Sequence, residues 1–487
     1  MTEQAPIPSE LSPRLSGSLG VSSIVFMVVA AAAPLTVIAG VVPIGFLVGN
    51  GPGFPAMFAV SAVILLFFAV GFTTMTPFVS KSGAFFAYIA AGLGRKWGLS
   101  AAYLALLCYI AVEVAVFGYI GAAIRDGVVR VGGPEIPWWI FAFAMIATVG
   151  ALGFRHIGLS SRVLAVLLIL EITIVLILSI VIVAKGGQDG LTLKPFSLAE
   201  MGSGSPALGL MFAIAGFIGF EATAIFRDEV KDPNRTIPKA TYVAVILIGL
   251  FYTFAAWAIV VAWGAETVVK EASKDPAGFV ILTAHRYLGS VGEVGINVLL
   301  ITSVFAAALS FHNVIARYLH MLSAGSFLPR KLSDVHGKHL APSNASVVTS
   351  AISAAVIAVG ALVGMDPYLQ IFGWFVGLSA LSLLVLLAST CLAVIVFFRR
   401  NNDLRIWKTV IAPFIGFIGL AGAALVTAKN FPLLVGDVDA SGNPVFGAVS
   451  LGLLAAIVVV PVAGFVQGRI LKARRSPAYD RITESIG

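Results

Sequence analysis

Long apolar stretches alternate with short polar links along this chain, from about residue 20 almost to its end. Twelve such stretches stand out, near residues 20–46, 54–77, 98–126, 136–154, 160–184, 205–227, 238–263, 290–320, 344–364, 368–398, 407–430 and 445–468. Each approaches or exceeds the roughly 20 apolar residues that a helix needs to cross a bilayer. The pattern predicts an all-α polytopic membrane protein. Two of the stretches are interrupted. The first, SIVFMVVAAAAPLTVIAGVVPIGF, holds Pro34, Gly40 and Pro43, and the sixth holds Gly216, Gly219 and Glu221 in what should be its middle. Lipid offers no water to satisfy an opened backbone, so such a break is tolerated only where it faces protein or a watery cavity. Taken singly, Pro34 fits a simple kink and the glycines fit close helix packing. Two broken helices five spans apart point instead to an inverted repeat with a substrate site at mid-membrane.

The expected organisation follows. Residues 1–19 are a cytoplasmic N-terminal tail, 20–184 a first five-helix repeat, 205–398 a second, inverted one, 407–468 two further helices, and 469–487 a cytoplasmic C-terminal tail. Composition agrees, since 59% of the residues are hydrophobic, 11% are charged and mean hydropathy is +1.01, which excludes a soluble protein of 487 residues. The formal net charge of +8 does not indicate nucleic acid, because the basic residues sit in loops beside the apolar helices. With the N-terminus inside, 23 of the 31 Lys and Arg fall on the cytoplasmic side and 8 outside. That asymmetry places both termini in the cytoplasm of a multi-pass protein of the cell membrane. Two cysteines within apolar runs, Cys108 and Cys391, support neither a disulfide framework nor a zinc site, and no cofactor is expected. Between the second and third spans, residues 80–107 include a short aromatic stretch that suits a helix lying against the cytoplasmic face.

Three acids lie deep in the spans, Glu113, Glu171 and Glu221, with no Lys or Arg at comparable depth. Each is either neutral or meets a cation. Low dielectric favours the neutral carboxyl, and a group that loads and unloads a proton as its exposure changes can couple a gradient to transport. A neutral acid bonded to a neighbouring helix is the plain alternative for each. His312, on the eighth span, reads as a satisfied packing residue rather than a relay, and Asp228, Glu229, Lys231, Asp232 and Arg235 read as ion pairs or a solvated loop.

The string GFEATAIFRDEVKDPNRTIPKA, from Gly219 to Ala240, resembles the sixth-helix signature of the amino acid-polyamine-organocation superfamily. SKSGAFFAYIAAGLG resembles the stretch after that family's second helix, with Ala84 and Phe86 departing from it, and SFHNVIARYLHMLSAGSFLPRKLSDVHGKHLAPSNA resembles its eighth helix and exit. The resemblance spans about residues 17 to 400. It implies a LeuT-type 5+5 inverted repeat and an amino acid or amine bound between helices 1, 3, 6 and 8. The substrate carboxylate would meet the broken first helix at Pro34, Leu35, Thr36, Val37, Ile38 and Ala39, although AAPLTVIAG replaces the family's small-residue run. The amine would meet carbonyls near Ala215, Gly216 and Ile218, with Phe217 or Phe220 as a lid beside Gly219 and Glu221. Many sodium-independent relatives carry a lysine where this chain has Glu171. Glu171 then takes up a proton, or forms a sodium site with Thr302 or Ser303; Glu113 is a second proton carrier or faces a cationic substrate group.

The expected activity is secondary active import of an amino acid by alternating access, as proton symport. Alternatives are a polyamine or basic amino acid substrate, and a sodium-coupled or exchange mechanism. A membrane enzyme fits poorly, because no His-rich metal set, catalytic triad pattern or phosphate-binding loop is visible. A channel would want a repeated filter.

Overall fold

A computed structural model describes residues 20–79, 85–155, 161–221, 223, 230, 232–335, 342–475 and 478–479. They form an almost wholly helical molecule. Twelve helices coincide with the predicted stretches: α1 (Val21–Val48), α2 (Gly51–Phe78), α3 (Arg95–Arg130), α4 (Trp138–Phe154), α5 (Val163–Ala184), α6 (Pro206–Ala215), α7 (Pro233–Trp263), α8 (Phe279–Ala324), α9 (Ser343–Leu362), α10 (Pro367–Arg400), α11 (Trp407–Val435) and α12 (Ala448–Ala473). Ten are long and apolar enough to cross a membrane, whereas α4 and α6 are apolar but shorter. This is a multi-pass membrane protein. The lipid solvent explains why even α12 and α5 are helical although much of their Leu, Ile and Val surface is exposed: every backbone group is satisfied within the segment.

The shortness of α6 has a local cause. After Ala215 the chain turns, and Gly219 takes φ 105°, a conformation side chains disfavour. In α8 a kink at Gly289 separates an outer segment from the deep helix, which begins where the sequence predicts.

The helices pack as two bodies that meet directly where α1 touches α8 and are bridged elsewhere by further helices. In one, α3, α4, α8 and α9 all touch one another. In the other, α2 packs on α1, α6 and α7. Helices α5 and α10 each contact both bodies, while α11 packs on α2 and α10, and α12 on α3. The aromatic stretch between α2 and α3 forms a helix, Phe85–Leu93, but it is tucked into protein against α3 and α10, with Phe85, Phe86 and Tyr88 buried. Of the charged loop after α6, Asp232 and Arg235 approach to 3.8 Å at the surface. Asp228, Glu229 and Lys231 lie outside the described residues, as do residues 1–19.

Candidate functional site

The break in α1 follows from one dipeptide. A residue before proline is disfavoured in the right-handed helical conformation, and Ala33 leaves it, for φ 45°, ψ 69° in the left-handed region rather than the extended one, ending the Val21–Ala31 helix before Pro34 starts the next. The carbonyl that Pro34 releases, on Ala30, accepts instead from the Ala33 N–H at 3.1 Å. The Ala32 carbonyl accepts from the Tyr252 hydroxyl at 3.2 Å.

Beyond the break, the Leu35 N–H donates to Glu171 Oε2 at 3.4 Å, so the α5 carboxylate lies at the positive start of the second half of α1. The same oxygen accepts from Ser303 Oγ at 2.8 Å. Ser303 Oγ is in turn 3.0 Å from Thr36 Oγ1. Glu171, Ser303, Leu35 and Thr36 thus form one buried cluster joining α1, α5 and α8. Thr302 stands apart, donating to the backbone carbonyl of Leu299 at 2.9 Å.

Thr36 also borders a cavity of about 50 Å³ between α1, α3, α6, α8 and α10. Its other walls are Ala32, Ala33, Val37, Val41, Val112, Val116, Ala215, Ile218, Ala307, Phe311, Phe372 and Val376, so Thr36 carries the one polar side chain. Of the residues expected to touch substrate, Thr36, Val37 and Ala215 line this cavity, and Ile218 joins them. Pro34 lines a separate apolar groove of about 860 Å³ between α1, α5 and α7. Leu35, Ile38, Ala39 and Gly216 pack behind the wall; a side chain on Gly216 would meet Val37 at 3.0 Å. Phe217 packs edge-on against Tyr252 and Phe220 against Phe68, away from the cavity, so the rings beside it are Phe311 and Phe372. Sequence reasoning missed these and Val112, Val116, Ala307 and Val376. A signal existed: Ser303, Ala307 and Phe311 recur every four residues, on one face of α8.

The other two deep acids turn elsewhere. Glu221 Oε1 accepts from the Tyr109 hydroxyl at 2.9 Å, and its Oε2 accepts from the Gly219 N–H at 2.8 Å, closing the turn after α6. Glu113 Oε1 lies 2.8 Å from His312 Nδ1, and its Oε2 accepts from Ser353 Oγ at 2.8 Å. His312 Nε2 is 2.8 Å from Ser346 Oγ, so the histidine is indeed satisfied. Among the described residues no group of His, Cys, Asp and Glu is arranged to hold a metal ion.

Comparison with known proteins agrees with this architecture. The family model for amino acid permeases matches residues 13–472. The chain is 27% identical to the branched-chain amino acid permease BcaP of Bacillus subtilis, over 73% of this chain and 75% of that protein. It is 20% identical to the low-affinity putrescine importer PlaP of Escherichia coli, over 68% of this chain and 72% of that one. With the serine/threonine exchanger SteT of B. subtilis the identity is 21%, over 72% and 77%. A model matched over nearly the whole length, a helical membrane fold and a first helix broken beside a buried cavity lead to one assignment: the chain is a transporter of the amino acid permease family, within the amino acid-polyamine-organocation superfamily.

Proposed function

We propose that this transporter imports a neutral, aliphatic amino acid across the cell membrane by alternating access, together with a proton carried by Glu171. The observation that carries the substrate class is the set of side chains on the cavity wall, which are hydrocarbon except for one hydroxyl. A diamine or basic amino acid needs carboxylates at its cationic ends, and Glu113 and Glu221 are already bonded within the protein and point elsewhere. The relatives' names span branched-chain, hydroxylated and diamine substrates, and the lining favours the first of these. Small-molecule pockets run to about 300–1,000 Å³, so a cavity of about 50 Å³ admits substrate only when its walls part. The two packed bodies supply the surfaces that would separate.

Glu171 suits proton uptake because its bonds cross between α1 and α8, which belong to different bodies, so their parting changes its surroundings. Breaks in the first and sixth helices support two inverted repeats over residues 20–184 and 205–398. The 23 to 8 distribution of Lys and Arg supports cytoplasmic termini.

Counterflow of labelled leucine in proteoliposomes tests the reading. Leucine should exchange without sodium, and an inward proton gradient should drive its accumulation. Glu171→Gln should keep counterflow and lose accumulation. Exchange of putrescine but not leucine, or accumulation that requires sodium, would overturn it.

A further inference from the structure

The hydrogen bonding of Thr36 is unusual for this protein. Several buried threonines in its other helices donate to their own backbone one turn back: Thr73 to Ala69 at 2.7 Å, Thr349 to Ala345 at 2.9 Å and Thr390 to Leu386 at 2.8 Å, whereas Thr427 donates across to the Ala207 carbonyl at 3.2 Å. Thr36 makes no such bond: the carbonyl four residues back is on Ala32, across the break, and accepts from Tyr252. Its one side-chain bond is to Ser303, and Ser303 is bonded to Glu171. The result is a buried chain of three side chains with the cavity at one end and a carboxyl at the other.

We propose that Thr36 reports the protonation of Glu171 to the substrate: through Ser303, the carboxyl decides whether the Thr36 hydroxyl offers the cavity an acceptor or a donor. A hydroxyl has one proton to give, and an ionised carboxylate only accepts. With Glu171 ionised, Ser303 gives its proton to Oε2 and must accept from Thr36, whose lone pairs are left for the cavity. That arrangement welcomes an ammonium. With a proton on Oε2, Glu171 donates to Ser303, Ser303 donates to Thr36, and the Thr36 proton is released toward the cavity. That arrangement welcomes a carboxylate. One proton is gained at Oε2 and no covalent bond beyond that O–H changes; the two hydrogen bonds only reverse. Tyr252, from α7, is the titratable side chain facing the cluster, and α1 and α8 present Leu35, Thr36 and Ser303. Thr36 and Ser303 are therefore positioning residues that tie proton uptake to binding of the substrate's carboxylate.

The inference rests on the proton role of Glu171 proposed above, and the test separates the two. Purified transporter would be titrated with leucine and with isoamylamine, which has the same side chain and no carboxylate, from pH 5.5 to 8. Both ligands keep their charge over this range. Wild type should bind leucine roughly tenfold more tightly at the acidic end, the size of effect one charge-assisted hydrogen bond carries. Isoamylamine should gain nothing. Ser303→Ala and Thr36→Val should each bind leucine with one affinity across the range, and Thr36→Ser should keep the wild-type slope. A merely structural role would weaken binding equally at every pH. A wild-type slope in Ser303→Ala and Thr36→Val overturns the relay alone, whereas a flat wild-type profile, or a wild-type slope that persists in Glu171→Gln, overturns the proton role of Glu171 on which it rests.

Discussion

Glu113 and Glu171 are both buried acids in the middle of membrane helices, yet their surroundings are opposites. Glu113 is 0% exposed with both oxygens bonded, and its neighbour His312 is 1% exposed. The groups around that pair, His312, Ser346 and Ser353, come from α8 and α9, which together with α3 and α4 form one mutually packed body. Glu171 uses one oxygen, with a long bond to a backbone N–H of α1 and a short one to Ser303 of α8. The difference teaches that depth alone does not make an acid a coupling group. Glu113 braces helices that belong together; Glu171 bridges helices that belong to different bodies.

The largest expected effect would come from breaking the brace. Removing one partner of a buried carboxylate–imidazole pair leaves the other unsatisfied, at a cost of about 3–5 kcal/mol. His312→Ala or Glu113→Ala should therefore lower the midpoint of thermal unfolding sharply and reduce the yield of folded protein. The paired change Glu113→Met with His312→Leu should recover most of that loss, since apolar replacement of both partners is often close to neutral. Single variants as stable as wild type would show that the pair holds nothing together.

The next effect is functional rather than thermodynamic. In Glu171→Gln the amide oxygen still accepts from Ser303 and Leu35, so unfolding should shift by no more than about 1 kcal/mol, the worth of one ordinary hydrogen bond. Accumulation of substrate against a gradient should nonetheless disappear. The comparison inverts if Glu171→Gln unfolds the protein while Glu113→Gln leaves it stable but uncoupled.

How far the sequence discloses this contrast depends on range. Helix positions follow from apolar run length, a local property, and the breaks at Pro34 and Gly219 follow from two residues whose backbone preferences act on the spot. The three deep acids are equally visible, because charge in a membrane span needs no partner to be noticed. Their partners are another matter. His312 lies 199 residues from Glu113, and Ser303 lies 132 from Glu171. No local pattern chooses between such pairings, which is why Glu113 reads equally well as a proton carrier and as a substrate ligand until α8 is seen beside it. The cavity wall suffers likewise. Val112 and Val116 look like any lipid-facing pair on α3 until α10 brings Phe372 and Val376 opposite them.

The smallest expected effect concerns the backbone that holds Glu171's side of the comparison open. Among the described residues, Ala33 is the one non-glycine residue inside a membrane-spanning helix with φ in the left-handed region. That conformation costs an L-residue roughly 1–2 kcal/mol. Glycine relieves it but gives the unfolded chain more freedom, an opposing term of about 0.4–1 kcal/mol. Ala33→Gly should therefore raise thermal stability by about 1 kcal/mol or less, while Ala33→Val, β-branched and harder to hold in that region, should lower it by more. Nothing comparable surrounds Glu113, whose helix is regular on either side. The strain is confined to the break, and a destabilised Ala33→Gly would mean that the break is held in place by the Ala33 methyl group and not by the proline that follows it.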